Sequence, residues 1–304
     1  EAGRLTLLVA GRPYHADPLI QHKVAEMIAA TGVNVITDDI VRGEDISVAD
    51  THYVAQWAYA NRILRAAEWA ARQDESVQFL QLTSFGCGPD ALITDEARDL
   101  LGRHGKSLTL LKIDDVSNTG SLRLRVRSLI ESLKLGHTAQ AAVRAFVTTP
   151  DFRKQDRRRK ILVPFFTPFI SPLIPVLFRR AGYEAESLPV STQASVEAGL
   201  KYANNEICYP ATLIVGDIVT AMESGRYDPA ETAVAITQTG GQCRASNYIA
   251  LIRRGLVAAG YENVPVISVS PNSGLETSQP GFRIPWPRIL RAAVGAVLFT
   301  DCLS

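Results

Sequence analysis

The sequence lacks the loops typical of the commonest nucleotide-dependent and hydrolytic enzymes. It contains no G-x-x-x-x-G-K-(S/T) loop, which excludes a P-loop ATPase within this chain. No G-x-G-x-x-G follows the first predicted strand, so a nicotinamide-dependent activity has little support, and no G-x-S-x-G turn of a hydrolase is present. The sequence also lacks an excess of charge of either sign. The net charge is +1, which favours neither nucleic acid nor an anionic membrane as a partner.

Cysteine is also scarce, with 4 in 304 residues, which is too few for a disulfide framework. No signal peptide opens the chain, so we expect a reducing, cytoplasmic location. The chain opens almost at a strand and ends within a helical pattern, so we expect it to be part of a longer protein. Its length exceeds one comfortable core and predicts two domains.

Long apolar runs are few, and residues 161–178 alone invite comparison with a membrane span. Pro164, Pro168, Pro172 and Pro175 interrupt this run, and each proline breaks the hydrogen-bond ladder of a helix. Because unpaired backbone groups are costly in lipid, we predict a strand, a loop and a helix here, and no contact with a membrane.

Short apolar runs alternate with amphipathic stretches along the whole chain, which is typical of α/β units built on parallel strands. We predict two Rossmann-like domains at 1–137 and 160–304, joined by a basic linker at 138–159. Strands are predicted at 5–10, 33–36, 77–82, 107–113, 160–165, 183–187, 233–237 and 264–268. Helices are predicted at 18–28, 49–72, 95–103, 121–135, 172–181, 193–204, 210–223, 245–259 and 288–298.

The predicted linker ends in a strongly basic run, which we interpret as a solvated connector. The alternative is a surface that contacts the phosphates of CoA or an acidic partner. The run consists of Arg153, Lys154, Arg157, Arg158, Arg159 and Lys160.

Cys87, Cys208 and Cys243 share a local pattern, since each lies in a short loop of small and turn-forming residues before a predicted helix. A helix N-terminus stabilises a thiolate, and in open α/β sheets it shares one edge with the strand ends where ligands bind. Three thiolates at such an edge would converge on a soft metal centre and leave one of its positions open. Neighbouring glycines permit the close approach of a bulky group. They are Gly86, Gly88, Gly240 and Gly241.

Other interpretations of these residues stay open. A free cysteine is often a small core residue, and Cys302 fits that role on an apolar helical stripe. Zinc is the competing metal, with His15 as a fourth ligand. Acid–base or polar roles are open to aspartates at predicted strand ends, although most such residues only cap turns. They are Asp38, Asp39, Asp114 and Asp115.

Four segments, taken together, resemble the 2-hydroxyacyl-CoA (2-hydroxyglutaryl-CoA) dehydratase activase-related proteins, and the resemblance extends over nearly all of the chain. They are residues 11–18, 85–90, 201–210 and 237–244. The resemblance implies the dehydratase-like iron–sulfur region without the ATPase domains. The dehydratase subunits themselves are more loosely similar, with two Rossmann-like domains and a [4Fe–4S] cluster held by three cysteines in the interdomain cleft. In this chain the half with one of the cysteines comes first.

This resemblance implies that Cys87, Cys208 and Cys243 ligate a [4Fe–4S] cluster. It also implies electron transfer from an ATP-dependent activase, followed by radical dehydration of a 2-hydroxyacyl-CoA or similar substrate under anaerobic conditions. The residues expected to line the pocket or support the ligands are Arg12, Pro13, Tyr14, His15, Asn205, Glu206, Gly240, Gly241 and Gln242.

Two alternatives to this function remain at the level of sequence. The first is a non-catalytic iron–sulfur relay or scaffold, and the second is a metal-free, two-lobed module that binds a small molecule. A homo- or hetero-oligomeric assembly is also open.

Overall fold

A computed structural model gives the structure of most of the chain. It divides into two compact units, Glu1–Phe146 and Val147–Ser304. The described residues are 4–17, 19–20, 23–54, 57–84, 89–113, 119–135, 145–238, 244–269 and 279–303.

The first unit is a parallel sheet of four strands with order β2-β1-β3-β4, flanked by helices. Its strands are β1 (Thr6–Ala10), β2 (Asn34–Thr37), β3 (Val77–Thr83) and β4 (Thr109–Lys112). Its helices are α1 (Val24–Ala29), α2 (Ala58–Arg72), α3 (Pro89–Arg103) and α4 (Thr119–Lys134). Strands β1 and β3 are buried almost throughout because helices cover both faces of a parallel sheet.

The second unit repeats this architecture, with a parallel sheet of order β6-β5-β7-β8. Its strands are β5 (Lys160–Val163), β6 (Ala185–Ser187), β7 (Thr232–Thr237) and β8 (Val266–Val269). Its helices are α5 (Ile174–Ala181), α6 (Gln193–Tyr202), α7 (Tyr209–Glu223), α8 (Tyr248–Ala258) and α9 (Trp286–Leu303). The predicted fold class, two Rossmann-like α/β domains with parallel sheets, is confirmed.

Several predicted helix starts are wrong. Helix α1 begins at Val24 because Asp17 accepts hydrogen bonds from Leu19 and Ile20 in a local turn, and Lys23 adopts φ 58° directly before the helix. Helix α2 begins nine residues later than predicted, at Ala58. The backbone N–H of His52 donates to the buried carboxylate of Glu96, so the chain before α2 uses a tertiary partner.

The basic run belongs to the second unit, which starts at Val147, and this boundary lies inside the predicted 138–159 linker. Phe152 is fully buried. Arg157 donates to the carbonyl oxygen of Gly281 at 2.9 Å, and Arg159 donates to the carbonyl oxygens of Pro229 and Thr232. Arg157 and Arg159 therefore fasten their own segment to the unit, whereas Arg153, Lys154 and Arg158 are exposed.

Helix α9 packs through one narrow stripe, in which Ile289 is buried. The prediction that Cys302 lies in the core is wrong, because this residue is exposed on the helix. Much of the apolar surface of α9 is exposed as well, at Leu290, Val294, Val297, Leu298 and Phe299. In the part of the chain that the structure describes, no helix combines the length and apolar character needed to cross a bilayer.

Helices α6 and α7 approach closely at two glycines. A Cβ atom on Gly216 of α7 would overlap the carbonyl oxygen of Ser195, and one on Gly199 of α6 would overlap that of Thr212. The backbones themselves are therefore in contact, which fixes α7 against α6.

We expect Gly216→Ala to destabilise the second unit by about 1–3 kcal/mol, because the added methyl group overpacks this contact. Gly295→Ala in α9 is the matched control, since a Cβ atom there meets nothing within 4 Å. The control should be neutral or stabilising because alanine is favoured over glycine inside a helix. Urea unfolding of both variants checks this, and equal midpoints would contradict the close contact.

Candidate functional site

The sequence-predicted site residues fall into two groups. The first group lies outside the described residues and consists of Cys87, Gly240, Gly241, Gln242 and Cys243. Of the three predicted cysteine ligands, the structure therefore describes Cys208. Among the described residues, no group of three or more His, Cys, Asp or Glu side chains forms a metal site. The remaining predicted residues lie at the carboxyl edges of the two sheets, and each edge is considered by itself.

An ion pair closes the edge of the first unit between β1 and β3. Arg12, which follows β1, donates from Nε to both carboxylate oxygens of Asp90 at 2.9 Å. Asp90 lies in the first turn of α3 and also accepts a hydrogen bond from Thr83 at 3.3 Å. Burial raises the pKa of Asp90, and the attraction of Arg12 opposes that rise. The ion pair joins positions 78 residues apart.

Aromatic rings border this ion pair. The guanidinium carbon of Arg12 lies 5.5 Å from the ring centre of Tyr59, near the start of α2. Burial raises the pKa of the Tyr59 hydroxyl, while the charge of Arg12 opposes the shift. Tyr14, a predicted site residue, is exposed and meets the ring of His15 edge-on at 4.5 Å. Pro13 is exposed and opens the 3-10 helix Pro13–Ala16.

His15 is buried and both of its ring nitrogens are engaged. Nδ1 accepts the backbone N–H of Arg12 at 3.1 Å, so Nε2 carries the proton and donates to Ser84 Oγ at 2.7 Å. Burial, reinforced by the charge of Arg12, lowers the pKa of His15 to about 4. Ser84 directly precedes residues 85–88, so His15 holds the chain where it enters the segment that carries Cys87.

The zinc alternative loses support from this arrangement. A metal could bind Nε2 of His15 only by replacing Ser84 and displacing the ring proton. Gly11 leaves room for the ring, because a Cβ atom there would lie 2.7 Å from Nδ1.

Beside β2, the same edge is filled rather than open. Asp38 accepts a hydrogen bond from Arg62 at 3.0 Å and another from the backbone of Gly11. Burial raises the pKa of Asp38. The cavity next to this pair measures about 40 Å³, close to the share of liquid volume of one water molecule. Asp39 is exposed, and Asp114 and Asp115 lie outside the described residues.

At the edge of the second unit, Cys208 is the residue that caps the N-terminus of α7. Its sulfur lies 3.1 Å from the hydroxyl oxygen of Tyr248, the first residue of α8. The 3-10 helix Arg244–Asn247 precedes Tyr248 and follows Cys243 directly in the chain. Cys208, which is half-buried, therefore lies next to the start of α8, the helix that follows Cys243 in the chain.

The side chain of Gln238 connects the residues on either side of the segment 239–243. Its Nε2 donates to the carbonyl oxygen of Ser246 at 2.8 Å, and its Oε1 accepts the hydroxyl proton of Ser268. Gln279 in turn accepts from the backbone N–H of Ser268 and donates to its carbonyl oxygen. Gln238 is buried, so its satisfied amide stabilises a defined geometry at the strand end.

Asn205 and Glu206 have different surroundings. Asn205 is exposed, and Glu206 is half-buried. The backbone N–H of Glu206 donates to the side chain of Asn204, so the neighbouring asparagine shapes this turn before Cys208.

Sequence reasoning missed several residues of these edges. A sequence pattern could have indicated Asp90, because Pro89-Asp90 is a typical first turn of a helix. A weaker pattern could have indicated Gln238, since it directly precedes the glycine-rich segment that contains Cys243. The contacts of Tyr59 and Tyr248 are long-range, and no periodicity indicates them.

A larger cavity, about 490 Å³, lies at the opposite, amino end of β5 and β7. Three of its lining cations lie near carboxylates: Lys160 near Glu184 and Glu186, Arg226 near Glu186, and Arg159 near Asp156. Arg158 also lines the cavity and is exposed. Paired cations offer little net attraction to the phosphates of CoA.

No family model and no curated protein matches the sequence. Among solved structures, a LacI family transcriptional regulator from Arthrobacter sp. FB24 in complex with lactose is 15% identical, with a TM-score of 0.21, over 88% of this chain and 96% of that chain. A C2-type ketoreductase from a modular polyketide synthase is 12% identical, with a TM-score of 0.25, over 99% of this chain and 91% of that chain. Similarities this weak carry no argument about function.

We expect His15 to make folding pH-dependent. Its pKa is 6.5 when unfolded and about 4 when folded, so the unfolded state takes up a proton first as the pH falls. Stability is therefore lost between pH 6.5 and pH 4, by roughly 3 kcal/mol in total from this group. Denaturant unfolding across this range should show a smaller loss in His15→Gln than in the unmodified chain.

Long-range 1H–15N spectra of the imidazole provide a direct check on the same group. They should show the proton on Nε2 at neutral pH. Parallel pH profiles for the two proteins, or a proton on Nδ1, would contradict the assignment.

Proposed function

We propose that this chain binds an iron–sulfur cluster through Cys87, Cys208 and Cys243. The observation that carries the proposal is the contact of Cys208 Sγ with Tyr248 Oη at 3.1 Å. Cys243 precedes Tyr248 by five residues, a stretch of chain that spans at most roughly 17 Å when fully extended. Both cysteines of the second unit are therefore within reach of one neighbourhood.

The chemistry of the surrounding groups fits thiolate ligands. The Tyr248 hydroxyl can donate to the sulfur of Cys208, and hydrogen bonds to ligand sulfurs stabilise a cluster and tune its potential. The amide of Gln238 fixes both flanks of the segment that contains Cys243. Cys87 supplies the third thiol, from a segment whose entrance is held by His15 and Ser84.

When bound, such a cluster supplies low-potential electron transfer and, with only three protein ligands, an open iron that acts as a Lewis acid. The sequence resemblance extends the proposal to an ATP-dependent activase as electron donor and to dehydration of a 2-hydroxyacyl-CoA-type substrate. The task of this chain's own residues is to orient the thiols and to shield them from water.

Replacing the ligands tests the cluster. We expect Cys87→Ala, Cys208→Ala and Cys243→Ala each to lose most of the bound iron and sulfide after anaerobic reconstitution, because two thiolates hold a cluster poorly. Cys302→Ala is the matched control, since this exposed cysteine of α9 should leave the content unchanged. Iron and sulfide assays with EPR spectroscopy measure the outcome. Equal iron in all four variants would refute the ligand set. A colourless protein in which every cysteine is a free thiol would support the metal-free alternative.

Tyr248 should tune the cluster without ligating it. In Tyr248→Phe we expect full iron content and a more negative midpoint potential, because the lost O–H donor no longer stabilises the electron-rich reduced state. Anaerobic redox titration followed by EPR measures the shift, with Tyr261→Phe as the control, because Tyr261 is half-buried and follows the opposite, C-terminal end of α8. An unchanged potential would show that Tyr248 does not contact a ligand sulfur.

EPR spectroscopy also separates the enzyme from the relay. An acyl-CoA that binds at an open iron changes the spectrum of the reduced cluster. A spectrum that stays constant across acyl-CoAs would favour the electron relay.

A further inference from the structure

Arg12 is held in one orientation by groups of different chemistry. Asp90 fixes its Nε atom through both carboxylate oxygens, and the ring of Tyr59 lies against the guanidinium at 5.5 Å. The side chain is 23% exposed, whereas that of Asp90 is 4% exposed. The carboxylate therefore lies behind the arginine, which is positioned before any ligand arrives.

Toward the residues that the structure describes, the outer edge of this guanidinium is open. Within the described part of the chain, Nη1 and Nη2 of Arg12 donate no hydrogen bond, because the contacts with Asp90 use Nε alone. These terminal nitrogens form the planar fork that binds carboxylate or phosphate oxygens in pairs. The exposed Tyr14 is two residues further along the chain.

The position of Arg12 in the fold is that of a ligand site. It follows β1, and Asp90 lies just beyond β3, the neighbouring strand on the side where the sheet order reverses. Open α/β sheets bind ligands in the crevice at this reversal point.

Asp90 reduces the attraction for an anion but does not cancel it. An oxyanion on the terminal nitrogens would lie about 4 Å from the guanidinium centre and about 8 Å from the carboxylate, so roughly half of the Coulomb attraction remains. In exchange, the ordering cost of the long arginine side chain has already been met on folding. The arrangement thus favours selective binding over strong binding.

We propose that Arg12 is an oxyanion-binding residue, which recognises a carboxylate or phosphate group at the carboxyl edge of the first unit. The site goes beyond the cluster and does not depend on it, because every residue that builds it belongs to the first unit. Asp90 acts as a positioning residue, and Tyr59 supports the flat face of the guanidinium.

Calorimetric titration at constant ionic strength tests this site, with pyrophosphate as the phosphate probe and succinate as the carboxylate probe. The unmodified chain should bind one of them in the millimolar range or more tightly, and the probe that binds identifies the source of the oxyanion. Arg12→Gln should weaken binding about tenfold or more, the scale of a lost charge-assisted pair. Arg12→Lys should weaken it several-fold because lysine keeps the charge but loses the fork.

Arg42→Gln is the matched control, since Arg42 is exposed and pairs with Asp39. It should bind the probe as the unmodified chain does. Failure of both probes to bind, or equal affinity in Arg12→Gln and the unmodified chain, would overturn the proposal. Arg12→Lys decides the question if the glutamine variant fails to fold. Iron content, recorded on the same samples, reports separately on the cluster.

Discussion

The hydrogen bond from the Gln238 amide to the Ser246 carbonyl is the contact on which the second unit's candidate site depends. It joins the chain before and after residues 239–243, and its amide is buried with both ends satisfied. A buried amide that lost a partner would cost about 1–3 kcal/mol, so this geometry is strongly favoured over alternatives. The first unit uses the same device, because buried His15 holds Ser84 at the entrance to residues 85–88.

The two carboxyl edges nevertheless differ in their electrostatics. The first contains the ion pairs Arg12–Asp90 and Asp38–Arg62. The described network around Gln238 consists of amides and hydroxyls, with the Tyr248 hydroxyl at the sulfur of Cys208. Neutral donors stabilise thiolates without introducing a competing fixed charge, whereas a fixed guanidinium suits a ligand that brings its own negative charge. The edges are thus suited to different chemical partners.

Much of the fold could be predicted from the sequence, because most strands are short apolar runs between turn residues, as Leu7 and Leu8 of β1 illustrate. Helix starts were harder to predict. The chain before α2 was predicted to be helical, yet Glu96 accepts a hydrogen bond from the backbone N–H of His52, and no local pattern indicates that partner. The pattern of the sequence indicated that the candidate residues lie in loops at strand ends. Their pairings could not be predicted, since Arg12 and Asp90 are 78 residues apart and Cys208 and Tyr248 are 40 apart.

Arg12 links these features within the first unit. Its backbone N–H fixes the tautomer of His15, which in turn holds Ser84, while its side chain holds Asp90. Ser84 and Asp90 lie on opposite sides of the segment that contains Cys87. The proposed oxyanion site and the contacts that hold both flanks of this segment therefore share one residue, Arg12.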